Sequence, residues 1–273
     1  MKNVKNVPNF YQRNNKAEIN SFNGIIVLPS VVAWENYEWT RNYFVKKPEQ
    51  GFFLWVKESI FSQINTLVEI DSKNVFQKMN NLIVIEKGIK AKLFSTCKSL
   101  KEVKGKHFAK AKIIIKKNSF LEFLQYSSWQ KGDEFKSEYE FFLEEKAYLK
   151  ANISNKNKGA KIVTKENVYL GKRKASADVR IKMVAEKGGT FFSESYIHGE
   201  SNTKGHLECS GLISGKDSKI TSIPGLMCNS DKAELTHEAF VGKISEEKLM
   251  YLRMRGLSLR KAEEIIINSF LSL

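Results

Sequence analysis

The sequence predicts a mainly β fold, a β-solenoid of stacked coils, joined to a small N-terminal module and a C-terminal helical segment. Three observations carry this reading. From Leu82 onward, short β-type runs such as LIVIEK, AKIIIKK, EYEFFL, KIVTK and VRIKMVA recur, each followed by a polar or glycine-containing break. The breaks stand near Gly88, Gly105, Asn118, Gly132, Lys146, Gly159, Lys174, Gly188, Thr203, Asp217 and Lys232, mostly 14 or 15 residues apart, which is an internal repeat. No helical stretch separates the runs, as a βαβ protein requires, and the spacing exceeds the roughly 8 to 12 residues of sandwich turns. Two repeats then make one coil of roughly 29 residues, with alternate side chains inside and each coil hydrogen-bonded to the next. Periodicity alone leaves an irregular antiparallel β domain as the alternative.

Residues 1–80 have a different texture. They hold three of the four Trp (Trp34, Trp39, Trp55) and three of the four Pro (Pro8, Pro29, Pro48). Mixed helix and strand signals there read as a small module or cap whose aromatic cluster is a hydrophobic core. Residues 81–244 form the expected solenoid. Residues 245–273 read as helix, glycine, helix. Ser245 N-caps the first helix, Glu246 and Glu247 suit the positive end of its dipole, Gly256 ends it, and Ser258 caps the second. This tail is expected to be a docking element, unless its apolar residues Leu249, Leu252, Ile265, Ile266 and Phe270 all face the solenoid.

Composition narrows the function. The 45 Lys plus Arg against 30 Asp plus Glu give a net charge of +15, but 38 of the cations are Lys and only seven are Arg. Specific nucleic-acid readout favours the bidentate Arg fork and interleaved aromatics, so the charge is expected to form a solvated surface. No run approaches the roughly 18 apolar residues of a membrane span, and the start lacks a signal-peptide core, so a cytoplasmic protein is expected. Cys97, Cys209 and Cys228 form no CxxC pair, so a thiol that matters does chemistry rather than stapling. GLISGKDS is no phosphate loop, and no GxSxG, HExxH or Rossmann fingerprint occurs; any ATP must be bound by another chain.

Cys209 and His237 stand 28 residues apart, two repeats. In a parallel solenoid this spacing predicts that they are in-register neighbours about 4.8 Å apart, close enough for one metal or cluster. Glu238 would point to the other face of a regular strand. A buried, inert cysteine is the competing reading.

At these residues the sequence resembles a known family. The segment from His206 onward, with the Cys209 strand, Pro224, the HEA tripeptide His237–Ala239, the KIS turn from Lys243 and YLRMRGLS, resembles the C-terminal core of the SufB and SufD iron–sulfur cluster assembly proteins. The resemblance implies a right-handed parallel β-helix, with a C-terminal helical part that docks a SufC-like ABC ATPase. It implies that Cys209, His237 and Glu238 hold a transient iron–sulfur cluster at the joint between two solenoids. Glu238, where SufD-like chains usually carry glycine, makes the chain more SufB-like. The chain is shorter than a typical SufB and has no counterpart of the N-terminal cysteine cluster seen in many of them. A homodimer is then expected to replace the SufB and SufD pair, with a SufD-like chain as the other candidate partner, and with a sulfur donor and apo-protein acceptors. The chain itself is expected to be a scaffold and not an enzyme. A carbohydrate-active or nucleic-acid-binding solenoid is the alternative, although Asp133, Asp178, Asp217 and Asp231 are few for a groove of paired acids.

Overall fold

A computed structural model describes residues 9–21, 24–59 and 62–272. The chain opens with β1 (Phe10–Arg13), β2 (Lys16–Ile19), β3 (Ile25–Pro29), α1 (Ser30–Asn36) and a 3-10 turn (Glu38–Tyr43). There follow β4 (Phe52–Val56), β5 (Ile64–Ile70), β6 (Phe76–Ile85), β7 (Lys90–Ser99), β8 (Lys106–Ile115) and β9 (Phe120–Gln130). Next come β10 (Glu134–Leu143), β11 (Tyr148–Lys158), β12 (Lys161–Leu170), β13 (Ser176–Glu186), β14 (Thr190–Gly199), β15 (Lys204–Ser214), β16 (Lys219–Cys228) and β17 (Glu234–Lys243). Two helices, α2 (Glu246–Met254) and α3 (Leu259–Leu271), close it.

The strands alternate between two sheets. The odd strands from β5 to β17 stack in parallel in one, and the even strands from β4 to β16 in the other, giving a parallel β-solenoid of about seven turns. Tyr148 pairs with Ser176, 28 residues on, and Thr190 with Lys219, 29 residues on, so the expected coil length holds. Eight of the eleven expected breaks carry a left-handed backbone: Gly88, Asn118, Gly132, Lys146, Gly159, Lys174, Gly188 and Asp217. Such corners suit glycine and asparagine, and the lysines there accept a steric cost.

Alternation fills the interior. On β10, Phe135, Ser137, Tyr139, Phe141 and Leu143 are buried while the residues between them are half-buried or exposed. Trp129, Phe135 and the buried His107 stack face to face, their ring centres 4.9 to 5.7 Å apart. At the corner beside them the buried Asp133 carboxylate accepts hydrogen bonds from Ser99 Oγ and from the Gly105 and Gln130 backbone N–H groups. Asp133→Ala strands those donors and is expected to cost about 2 kcal/mol in urea unfolding, with Asp133→Asn recovering part of the loss.

The parallel stacking begins before the expected boundary at residue 80, which falls inside β6; β4 already pairs with β6, and β5 with β7. What precedes them is a cap. β2 and β3 turn antiparallel, and α1 with the 3-10 turn lays Tyr37, Trp39, Tyr43 and Phe44 on Phe53, Trp55, Leu82 and Val84 outside the even-numbered sheet. The aromatic cluster is thus a second small core. No described helix is long and apolar enough to cross a membrane.

Candidate functional site at the open end of the solenoid

β17 is the last strand of one sheet and β16 the last of the other, so both sheets end on unpaired edges at the same end of the stack. Nothing among the described residues covers that end. Ile223 (39% exposed), Met227 (47%), Phe240 (59%) and Val241 (42%) lie open there.

The three sequence-predicted site residues gather around this end, in different settings. Cys209 is fully buried on the inward face of β15, between Ile181 of β13 and Ala239 of β17. Burial pushes its thiol up to about 12, with the nearby Glu166 charge adding to this and the Ser222 and Ser195 hydroxyls opposing it. His237 is exposed on the inward face of β17, in register with Leu207. The expected pairing of Cys209 with His237 is therefore corrected: the partner of Cys209 is Ala239. The reason is coil length. From Ser176 to its partner Lys204 is 28 residues, but from Lys204 to its partner Glu234 is 30. Each corner of the last coil, Gly215–Ser218 and Asn229–Ala233, is one residue longer than the corner below it. A shift of two preserves the face, so His237 stays on the side of Cys209, one strand over and two residues along, about 8 Å away by strand geometry.

Glu238 projects outward, directly across the ladder from Glu208. Glu208 is held by Arg180, whose Nε lies 3.6 Å from Oε2, and by the Ser210 hydroxyl, which donates to Oε1 at 3.1 Å. The same guanidinium also pairs with Asp178, whose Oδ1 lies 3.4 Å from Nε. Among the described residues no three His, Cys, Asp or Glu side chains come together closely enough to hold a metal ion. One chain alone does not bring Cys209, His237 and Glu238 into one coordination sphere.

Behind Cys209 the interior turns polar, which the sequence reading missed. Glu166 is fully buried, takes a 2.8 Å hydrogen bond from Ser195 Oγ on its Oε2, and has no partner for Oε1 among the described residues. Burial raises its carboxyl to about 7. The signal was present in the alternation Ile162, Thr164, Glu166, Val168, Leu170 along β12, which points Glu166 inward. Glu208 was missed because finding it opposite Glu238 requires the 30-residue register.

The helical tail divides its labour. Ser245 and Ser258 cap α2 and α3, accepting from the backbone N–H groups of Lys248 and Lys261, and Gly256 takes φ +88°. α3 buries Ala262, Ile267 and Leu271 and sets Ile266 and Phe270 against Val184 and Leu212 of the solenoid. α2 buries nothing and leaves Met250, Tyr251 and Met254 exposed. Of the five apolar residues that the alternative to a docking element would lay on the solenoid, only Ile266 and Phe270 join the cluster there; Leu249 and Leu252 are half-buried and Ile265 is exposed.

Residues 193–270, which span this end and the tail, match the family model described as SUF system FeS cluster assembly, SufBD core domain. An iron–sulfur cluster assembly SufBD family protein of Archaeoglobus fulgidus is 27% identical over 92% of this chain and 80% of its own length. A SufBD family protein of Methanothermobacter thermautotrophicus is also 27% identical, over 75% of this chain and 57% of its own length. One from Pyrococcus horikoshii reaches 47% identity over 68 residues, a quarter of this chain and 15% of the relative. The core-domain match falls on the end where the solenoid is open, and the similarity to curated SufBD family proteins extends, in the Archaeoglobus relative, along nearly the whole chain, so residues 193–270 carry a SufBD core domain.

Proposed function

We propose that this chain is a non-catalytic scaffold subunit for iron–sulfur cluster assembly, building a transient cluster at the joint between two solenoid ends. The open end carries the reading: two unpaired sheet edges, exposed apolar side chains and Cys209, His237 and Glu238 lie at one place. Unpaired parallel edges recruit another strand, and a second copy or a SufD-like chain would supply both the missing pairing and the missing ligands. Iron and sulfide are the cargo. Cys209 as thiolate binds sulfur or iron, Glu238 offers a hard oxygen donor that is readily released, and His237 serves as ligand or proton carrier.

Cys209 sits one coil in and carries a thiol that burial keeps protonated, so loading requires that the joint be reshaped. A SufC-like ABC ATPase docked on the exposed face of α2 would do this, since α3 transmits any pull to the strands it packs on. A sulfur donor and apo-protein acceptors complete the cycle, with the cytoplasm as its place. Anaerobic reconstitution with iron and sulfide, with and without a SufC-like ATPase, tests the reading through visible absorption and bound iron. Wild type is expected to develop a chromophore that Cys209→Ala abolishes and Glu238→Ala weakens. Normal clusters in both variants would overturn the ligand assignment.

A further inference from the structure

The solenoid ends differently at its two poles. At the N-terminal pole the outermost strands are short: β2 has four residues, among them Lys16 and Glu18, and β3 has five and ends on Pro29, where α1 takes over. Short, charged or proline-ended edges discourage further pairing. At the C-terminal pole β16 and β17 are ten residues long each, and no described strand lies beyond them. Strand addition is open here, and the backbone decides along which edge.

In a parallel ladder, alternate residues direct their N–H and C=O groups to opposite neighbours. The backbone N–H of Lys219 donates to the Gly189 carbonyl and that of Asn229 to Gly199, so the odd-numbered residues of β16 are bonded to β14. Ile220, Ser222, Pro224, Leu226 and Cys228 turn to the outer edge. Pro224 stands in the middle of that row and has no N–H to give. On β17 the parity is reversed: the N–H groups of Glu234 and Ile244 donate to Thr203 and Ile213, so the even-numbered residues are bonded to β15. Leu235, His237, Ala239, Val241 and Lys243 turn to the outer edge, and none of them is proline. The two edges are therefore unequal. β17 offers an unbroken row of donors and acceptors, and β16 a row broken at its centre.

We infer, building on the joint proposed above, that a second copy of this chain docks by adding its own β17 antiparallel along this β17, and that Pro224 keeps the two β16 edges unpaired. The lumen sets the occupant. Leu235, His237, Ala239 and Val241 face inward with no further coil over them among the described residues. The added strand must therefore carry the same alternation and be backed by a second sheet at the same spacing, and another solenoid end has both. Antiparallel pairing about a two-fold axis joins odd-numbered residues to odd-numbered ones, which keeps the inward faces of both copies on one side. Attachment along one sheet leaves the other free to part. β16 is the wall in front of Cys209, its Ser222 hydroxyl close to the thiol, so a joint held on β17 and open on β16 admits iron and sulfide without separating the copies.

Hydrogen exchange of the whole chain, read by mass spectrometry without iron or sulfide, tests this. Concentrations at which sedimentation shows pairs are compared with dilutions at which it shows single chains. On pairing, the segment 234–243 is expected to slow by about tenfold or more at its outer amides, while 219–228 exchanges as in the single chain. Pro224→Ala supplies the missing donor, and 219–228 is then expected to slow on pairing as well. Ala239→Pro takes a donor from the centre of the β17 edge and is expected to weaken the pair by about tenfold or more. These readouts need no cluster, so absence of the iron–sulfur chromophore would sink the scaffold reading and leave the pairing standing. Single chains at every concentration, slowing of 219–228 in wild type, or no slowing of it in Pro224→Ala would overturn the assignment.

Discussion

His107→Gln and Glu166→Gln are expected to tilt the stability of this protein with pH in opposite directions between about pH 4.5 and 6.5. His107 is fully buried against Trp129 and Phe135, and its Nδ1–H donates to Gln77 Oε1 at 2.7 Å. Burial pushes its pKa down to about 3. A folded value below the unfolded one means the contribution is complete above about pH 6.5 and is lost as pH falls toward 3, because the unfolded chain takes up a proton that the native chain refuses. Glu166 is the mirror case. Its carboxyl is raised to about 7 by burial, so its contribution is complete below about pH 4.5 and is lost as pH rises through 7.

The two slopes have opposite signs in the shared window, each at most about 1.4 kcal/mol per pH unit, and they largely cancel in wild type. Removing His107 leaves the Glu166 slope, so the variant gains stability on acidification relative to wild type. Removing Glu166 leaves the His107 slope, so that variant loses stability on acidification, by up to about 3 kcal/mol over two pH units. Urea midpoints measured across the window read the slopes directly, whatever each substitution costs in packing. Parallel curves for all three proteins would show that neither group titrates differently in the folded chain.

The second large effect is expected at the open end. Val241 lies on the inward face of β17, against Gly211, and is 42% exposed because no further coil covers it. Val241→Lys places a charge where a second solenoid end would have to seal, and a buried unpaired ammonium is costly. Sedimentation velocity is expected to show wild type as a pair of chains, or as a pair with a SufD-like partner when that is supplied, and Val241→Lys as a monomer of unchanged strand content. The variant should also fail to form the cluster chromophore although Cys209, His237 and Glu238 are intact. A fully assembled Val241→Lys pair would move the joint away from β16 and β17.

Local rules made much of this molecule legible. Alternation along single strands, together with a break every 14 or 15 residues, contains the whole logic of a parallel coil, since burial on one face and a left-handed corner are properties of a few consecutive residues. The same is true of the helical tail, where Ser245, Gly256 and Ser258 act within their own turns. The candidate site is a matter of register, and register depends on what happens between strands. One extra residue at each corner of the last coil moved the partner of Cys209 from His237 to Ala239 and set Glu238 beside Glu208, with no change in the pattern of either strand. Where the stacking begins was likewise decided by long-range pairing, β4 with β6 and β5 with β7, across a change of composition that suggested a boundary. Two helices of similar apolar content were also sorted by tertiary contact, α3 onto the solenoid and α2 into the open. By itself the sequence determined the repeat, the inward faces and the caps, because those energies are paid within a few residues. Only the tertiary structure decided which side chains meet across coils and which surface stays exposed, because both depend on the summed lengths of separate turns and on contacts between distant parts of the chain.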